Sequence, residues 1–415
     1  MPPSFYLGPR KPKLELTSWE EVVIAAAAGV LDETQWVELK EKVPPASKPA
    51  NLELARDLAS LSLDGGLLVI GIADASGAAG EVVGTDLSGI ETRVAQVASG
   101  RIAPPLSVTF DVFPKPDDAE TGVLVVTVPA SEAAPHMVDE KYWGRGAHGK
   151  RTLSDNEVRR LMADRQERAA GLIDRLRELP ARLDPVDLDS GDGTDLGRLY
   201  VLVEPAAAAR EPLTNLLGDK HMLELVIDGL GFRPQWTPSF ELLNHMWPHP
   251  DGLAAASLTA EGTAGAGPGY LFILLGDDGG IQVSAPAARP LRREPDAPLV
   301  IFPGHLLEVV HGAIALAGHF AKQYTGYEGP WRVGLLGTRL RGLTASQAHT
   351  DFGYQRYSQF PSQEYLEIAD TNTTEMAAHT PQVVARLTKR LLRGLSVERR
   401  FLPYENPRDF TSRSR

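Results

Sequence analysis

Four residues in the first fifth of the chain combine side-chain types and spacing that can do chemistry. In Glu33-Thr-Gln-Trp-Val-Glu38-Leu-Lys40, a strand places Glu38 and Lys40 on one face and Val37 and Leu39 on the other. A carboxylate and an ammonium side by side on a strand have two uses. They form a surface ion pair of little energetic consequence. Alternatively, the carboxylate holds a hard divalent cation while the lysine neutralises charge on a phosphate. Taken alone, the Glu-x-Lys tripeptide favours the ion pair. Asp74 stands where an apolar strand over 67–73 runs into a turn, a common place for a ligand residue. If the two strands are neighbours, Glu33, Glu38 and Asp74 converge, and three carboxylates at one place repel unless a cation is present. The competing account of Asp74 is turn chemistry, because Asp-x-x-Gly is frequent in hairpins.

A second cluster is Tyr142-Trp143-Gly-Arg145-Gly-Ala-His148-Gly-Lys150-Arg151, followed by Arg159 and Arg160. Aromatic faces for stacking bases, with Arg and Lys for phosphates, make the combination used to hold single strands. A loop of this length without a function is equally ordinary. Gly65-Gly66 can approach a phosphate closely, but it follows a helix and lacks the GxxxxGK[ST] of a phosphate loop. A helix C-cap turn accounts for it. His305, His311 and His319 share one expected helix without a zinc spacing, and no Gly-x-Ser-x-Gly elbow occurs. Arg386, Lys389, Arg390 and Arg393, with Arg399 and Arg400 beyond, read as a solvated helix face.

The elements that must position these groups alternate between strand and helix over 1–168. Ser18, with Glu21 three residues on, opens a helix over 18–30 as a capping box. A half-buried strand covers 34–40, a helix 49–63 and a continuous apolar strand 67–73. Turn composition marks 74–80, a helix follows over 87–99, and strands cover 106–113 and 122–128. A further strand is expected over 136–143, and Ser154 caps a helix running to 179. The acidic stretch 180–197, with Asp184, Asp187, Asp189, Asp192 and Asp195, reads as a linker. Beyond it the expected elements are a strand at 199–203, helices at 210–217 and 221–230, and a hairpin from 269–275 and 280–284. A helix at 305–324, strands at 332–336 and 364–368 and a closing helix at 374–395 complete the chain. A Gly/Ala tract at 261–268 is the one low-complexity stretch. The expected organisation is a helical extension over 1–31, an α/β domain over 32–168, a helix end and linker over 169–197, and an α+β domain over 198–415.

Composition narrows the classes. With 415 residues, 43% apolar and 23% charged, the chain reads as globular with two or three domains. It has 0 Cys, which excludes disulfides, thiolate metal sites and a cysteine nucleophile. The 42 basic and 54 acidic residues leave a net charge of −12, which argues against binding DNA by bulk charge but allows a local basic groove. No apolar run reaches the ~18 residues of a membrane span, and no secretory signal is recognisable, so a cytoplasmic protein without membrane contact is expected. The preference for Arg over Lys suits a GC-rich bacterial genome.

The N-terminal pieces, in order, resemble the Schlafen AlbA-2 domain, formerly described as a divergent AAA-type ATP-binding domain. Glu33-(x)4-Glu38-Leu-Lys40 is similar to its opening acidic strand. Ala59-Ser-Leu-Ser-Leu-Asp-Gly65-Gly66-Leu-Leu-Val-Ile-Gly71-Ile-Ala-Asp74 resembles its helix, double glycine and following strand. Gly77, Gly84, Pro104-Pro105, the 123–128 strand, Pro135, Tyr142-Trp143-Gly-Arg145-Gly146 and Ser154 complete the set, over roughly residues 32 to 165. Two positions depart from the family pattern: Ser62 where Asn precedes the double glycine, and Leu39 where an aromatic follows the second Glu. The resemblance implies an α/β domain with a mixed sheet and a nucleic-acid role. In nuclease members three acidic residues hold a divalent metal, and these map onto Glu33, Glu38 and Asp74, with Mg²⁺ or Mn²⁺ as the ion.

Three functions follow as expectations. The first is a nucleic-acid-binding protein, RNA or DNA, with metal-dependent endoribonuclease activity. There Glu33, Glu38 and Asp74 hold the ion, Lys40 counters developing charge, and Tyr142, Arg145, Lys150 and Arg151 grip the strand. The second is a non-catalytic DNA-binding module with a regulatory or defence role. The third is an ATP- or nucleotide-binding protein, against which the missing phosphate loop counts.

Overall fold

The computed structural model describes residues 3–8, 13–146, 149–183, 197–207, 245–256, 271–276, 278–292, 297–322, 329–350 and 357–405. The chain divides into two compact units, one mainly Met1–Ala169 and the other mainly Ala170–Pro205, Leu213–Ala321 and Pro330–Arg415. The acidic linker aspartates, the helices expected at 210–217 and 221–230, the 261–268 tract and His148 lie outside the described residues.

In the N-terminal unit β1 (Ser4–Phe5) and β2 (Leu14–Glu15) pair as a short ribbon, and α1 spans Trp19–Ala27. Ser18 caps α1 by accepting the Glu21 N–H at 3.4 Å, while Glu21 reaches back to the Thr17 N–H. β3 (Val37–Lys40), α2 (Lys48–Leu61) and β4 (Gly66–Ile70) form a β-α-β unit in which β3 and β4 are parallel. A parallel pair needs a crossover, and α2 supplies it. β5 (Ile72–Ala75) and β6 (Ala78–Val82) make a separate hairpin, followed by β7 (Thr85–Asp86) and α3 (Ile90–Gly100). β8 (Thr109–Lys115) and the long β9 (Asp118–Val128) return antiparallel, so the sheet runs β3-β4-β9, with β7 and β8 also paired to β9. β10 (Met137–Val138), β11 (Lys141–Gly146) and β12 (Gly149–Thr152) form a meander, and α4 (Asp155–Ala170) closes the unit.

Side-chain parity sorts the layers. Val37, Leu39, Leu67, Val69, Val123 and Val125 pack on Val22, Ala25 and Ala26 of α1. Leu68, Ile70, Leu124 and Val126 face the other way, onto Leu54, Leu58 and Leu61 of α2 and Val94 and Val97 of α3. Successive strand residues alternate faces, so Glu38 and Lys40 necessarily point to the α2 side.

Several expected elements are shorter or divided. The strand expected at 34–40 begins only at Val37, because the Thr34 N–H donates to the Val37 carbonyl and the Trp36 N–H to the Thr34 hydroxyl, folding 34–37 into a turn. The 67–73 strand breaks at Gly71, where φ is +116° and the chain leaves the main sheet for the β5–β6 hairpin. The 136–143 strand is a hairpin whose two turn residues, Asp139 and Glu140, have φ of +51° and +62°. That geometry normally recruits Asn or Gly, so this sequence carried no sign of it. The helix expected to reach 179 stops at Ala170, and a second helix spans Leu172–Leu183. Pro180 therefore lies within a helix, where a linker was expected.

The C-terminal unit is an antiparallel sheet with helices. Among the described residues seven strands of this sheet run in the order 245–249, 252–256, 272–276, 281–286, 198–205, 330–338 and 364–372. Leu172, Leu176, Leu179 and Leu183 pack on Tyr200, Leu202, Leu274 and Leu336 of this sheet. The long apolar helix is Pro303–Phe320, and the closing helix is two segments, Thr373–Ala378 and Thr380–Gly394, divided at His379. Among the described residues no helix is long and apolar enough to cross a membrane.

Gly66 joins α2 to β4 so tightly that a Cβ there would lie 2.5 Å from the Trp36 carbonyl oxygen and 2.8 Å from Leu61 Cδ2. Gly66→Ala is expected to destabilise the N-terminal unit by more than ~1 kcal/mol, seen as lost hydrogen-exchange protection in β3 and β4. Unchanged protection would contradict this packing.

Candidate functional site

The α2 side of β3 meets a carboxylate that the helix carries inward. Asp57 lies one turn from both Leu54 and Leu61 on the apolar stripe of α2 and is 0% exposed. A buried carboxylate needs partners, and three elements supply them. Lys40 Nζ lies 2.8 Å from Asp57 Oδ2. Lys150, on β12, donates to Asp57 Oδ1 and at 2.5 Å to Glu53 Oε1. Arg145, on β11, donates from Nη1 to Glu38 Oε2 at 2.5 Å and from Nη2 to the Thr34 carbonyl at 3.1 Å. Glu38 Oε1 also lies 3.6 Å from Lys40 Nζ. Glu38, Glu53 and Asp57 thus face Lys40, Arg145 and Lys150 in a charge-balanced network that ties β3, α2 and the β11–β12 hairpin together.

Burial raises the pKa of Glu38, but the charge and hydrogen bond of Arg145, helped by Lys40, outweigh it and hold the carboxyl below its ordinary range. Asp57 is pushed up by burial, with Lys40 pulling in the opposite direction. Burial alone would lower the ammonium of Lys150, yet Asp57 and Glu53 hold it above its usual value. The Glu38 and Lys150 directions favour their charged forms, whereas burial works against the ionised Asp57 and leaves it dependent on Lys40 and Lys150.

Glu33 sits beside this network. Its backbone N–H donates to the Gly77 carbonyl at 2.8 Å, and the Ala79 N–H donates to Asp32 Oδ1 at 2.9 Å, so the β5–β6 hairpin is laced to the segment before β3. The Glu33 carboxyl is raised by burial first, then by repulsion from Glu38 and a hydrogen bond shared with it, and more weakly by Asp74. Burial and the neighbouring Glu38 charge thus favour the protonated form of Glu33 over its ordinary balance. Asp74 is exposed, and its Oδ1 accepts the Gly77 N–H at 2.7 Å, the turn chemistry that its position suggests. Glu33 and Glu38 are therefore adjacent, with Asp74 acting on Glu33 through space.

This donor set does not fit Mg²⁺ or Mn²⁺ as it stands. The oxygens of Glu38 and Asp57 face three cations, and a divalent ion among them would meet their repulsion. Among the described residues no group of three or more His, Asp or Glu side chains is arranged to hold a metal ion.

The basic cluster is likewise drawn inward. The Arg145 side chain is 2% exposed, and Lys150 is engaged by α2. Trp143 packs against the core, donates from its indole N–H to the Val138 carbonyl at 3.2 Å, and has the Arg56 guanidinium 5.2 Å from its ring centre. Tyr142 is half-buried on β11. Arg151 stays exposed and pairs with Glu157 at 2.6 Å; hydrogen bonds from Arg151, then from Ser154, hold the Glu157 carboxyl well below its usual range. Arg159 and Arg160 are exposed on α4, with Arg159 paired to Asp155 at 2.8 Å. Sequence reasoning missed Glu53 and Asp57. The available signal was a lone charged residue on the stripe Leu54, Asp57, Leu58, Leu61, where a solvated helix would show none.

Against this geometry, residues 33–154 match the family model described as Schlafen, AlbA_2, and that segment is a Schlafen AlbA_2 domain. The DIP2311 protein from Corynebacterium diphtheriae is 22% identical with a TM-score of 0.23, over 32% of this chain and 27% of that one. The N-terminal domain of a protein from Nitrosomonas europaea, described as related to the ATP-dependent DNA helicase RecG, is 20% identical with a TM-score of 0.24. That alignment covers 34% of this chain and 92% of the other. This chain thus spans about a quarter of the first structure's length. No curated protein matches.

Two outcomes test the network. Arg145→Met leaves Glu38 buried without its main partner and is expected to destabilise the N-terminal unit by about 3–5 kcal/mol in urea unfolding; Arg151→Ala, at an exposed pair, should leave stability near wild type. Glu33→Gln keeps a donor toward Glu38 but cannot ionise. A carboxyl raised in the folded state contributes stability at low pH that is lost as pH rises through its folded pKa. The variant should therefore gain on wild type as pH climbs from the ordinary carboxylate range towards neutrality. A pH-independent difference would show that the Glu33 carboxyl is not raised in the folded state.

Proposed function

We propose that this protein binds nucleic acid through its N-terminal unit and that the buried charge network is the scaffold of that domain. The observation that carries the reading is the match of residues 33–154 to the Schlafen AlbA_2 model. The geometry supports binding more than cleavage, because Glu38 and Asp57 are committed to Lys40, Arg145 and Lys150. The phosphate-facing groups in this reading are the exposed cations of β11, β12 and α4, namely Lys141, Arg151, Arg159 and Arg160. Phosphate oxygens would compete with Glu157 and Asp155 for Arg151 and Arg159, an exchange of small energetic consequence at exposed pairs. A net charge of −12 requires such contact to be local.

Fluorescence anisotropy of the full chain with labelled single- and double-stranded DNA and RNA tests this. Affinity is expected to fall as KCl rises, because phosphate contacts release counterions. Arg151→Ala with Arg160→Ala should weaken binding similarly across sequences. Absence of salt-dependent binding to every oligonucleotide would overturn the proposal. Structured RNA incubated with Mn²⁺ should stay intact. Metal-dependent cleavage that vanishes in Asp74→Asn, a variant that preserves the Asx turn, would restore the nuclease reading.

A further inference from the structure

In the C-terminal unit a small three-stranded sheet delivers three kinds of hydrogen-bond donor to one cavity. Strand Ala288–Pro290 pairs antiparallel with Leu299–Ile301, with Arg289 opposite Val300. Leu299–Ile301 leads through Phe302 into the helix Pro303–Phe320, so Arg289 lies beside the start of that helix. Thr344–Ala345 pairs parallel with Val300 and Ile301 and continues into Ser346 and Gln347. The cavity at this junction has a volume of about 220 Å³, and Arg289, Gly304, His305, Ser346 and Gln347 line it. Among the described residues no Asp or Glu side chain lines it.

We infer that this cavity binds a compact phosphate group, held by the Arg289 guanidinium, the Gln347 amide and the N-terminus of the helix Pro303–Phe320. The helix has 18 residues, no side-chain cap at Phe302 and a proline at its first turn, so the buried Gly304 N–H is left without an intrahelical acceptor. Gln347 is 2% exposed; its amide oxygen accepts from the Ser346 hydroxyl at 3.3 Å, and among the described residues its amide nitrogen has no protein acceptor. Gln347 lines the cavity, so this donor is open to whatever occupies it.

Arg289 has the same unmet demand. Its Nε is buried without a hydrogen-bond partner, and among the described residues no carboxylate pairs with its guanidinium. Its Nη2 donates at 2.8 Å to Nε2 of His305, whose pKa is pushed down to about 3 by burial first and then by Arg289. That neutral imidazole steers the guanidinium without neutralising it. Glu308, one turn further along the helix, is pushed up to about 7 by burial and gives Arg289 only partial compensation near neutrality. A fixed Arg fork, a helix N-terminus and an amide around one space suit an oxyanion with several acceptor oxygens. The volume falls below the ~300–1,000 Å³ of pockets that bury drug-sized ligands, which matches a free phosphate or the phosphate end of a monoester.

The inference rests on the C-terminal unit and stands or falls independently of oligonucleotide binding. Isothermal titration of the full chain with inorganic phosphate, and separately with ribose 5-phosphate, at ionic strength matched by chloride, tests it. Saturable binding of either probe is expected, weakened at least ~10-fold by Gln347→Leu and by Arg289→Gln, and unchanged by Arg390→Ala, which removes only an exposed pair with Glu367. Binding of inorganic phosphate identifies a free anion as sufficient, while binding of the ester alone identifies a phosphomonoester. If Arg289→Gln loses its helical circular dichroism, the affinity of Gln347→Leu decides the outcome. No saturable heat with either probe, or affinity unaffected by the substitution in a folded variant, overturns the inference.

Discussion

The N-terminal domain is organised around one electrostatic requirement: Glu38 and Asp57, both on the α2 side of the sheet, cannot be buried without cations. Arg145 and Lys150 reach in from a hairpin about a hundred residues further along the chain, and Lys40 comes from Glu38's own strand. The exchange is reciprocal, because an uncompensated guanidinium would be as costly as an uncompensated carboxylate. The β11–β12 hairpin therefore docks on α2 and β3 by ion pairs as well as by the packing of Trp143. Such a contact is sensitive to geometry: well-placed partners hold, and loss of one exposes the desolvation of the rest.

That requirement reorganises the functional picture. Residues with the composition of a nucleic-acid loop are divided by depth. Arg145 and Lys150 belong to the internal network, whereas Arg151, Arg159 and Arg160 remain at the surface. The acidic residues divide similarly, with Glu38 ion-paired, the Glu33 carboxyl raised by burial and by Glu38, and Asp74 closing an exposed turn. A strand-borne carboxylate next to a lysine can serve a metal or a scaffold, and the cations around Glu38 favour the scaffold.

The C-terminal unit poses the opposite electrostatic situation. Among the described residues that line the cavity beside Arg289 there is no carboxylate, and the neighbouring imidazole is held neutral by burial and by Arg289. The two units thus differ in electrostatic design, with paired charge buried in the first and an arginine facing a neutral imidazole in the second.

The layers of the N-terminal domain were legible in the sequence, because strand alternation and helical spacing are local properties. The parity of Val37, Glu38, Leu39 and Lys40, the cap at Ser18 and the first part of the apolar run, Gly66–Ile70, hold in the structure. Local signals failed where the chain turned without the usual residues, as at Asp139-Glu140, or where a hydrogen-bonded turn replaced a strand, as at Thr34–Val37. The partners of Glu38 were decided by tertiary structure alone. Arg145 lies 107 positions away, and nothing in a run of Gly, Arg and Lys says whether its cations face solvent or a buried carboxylate. The choice depends on which elements close around them, and that is a property of the folded chain.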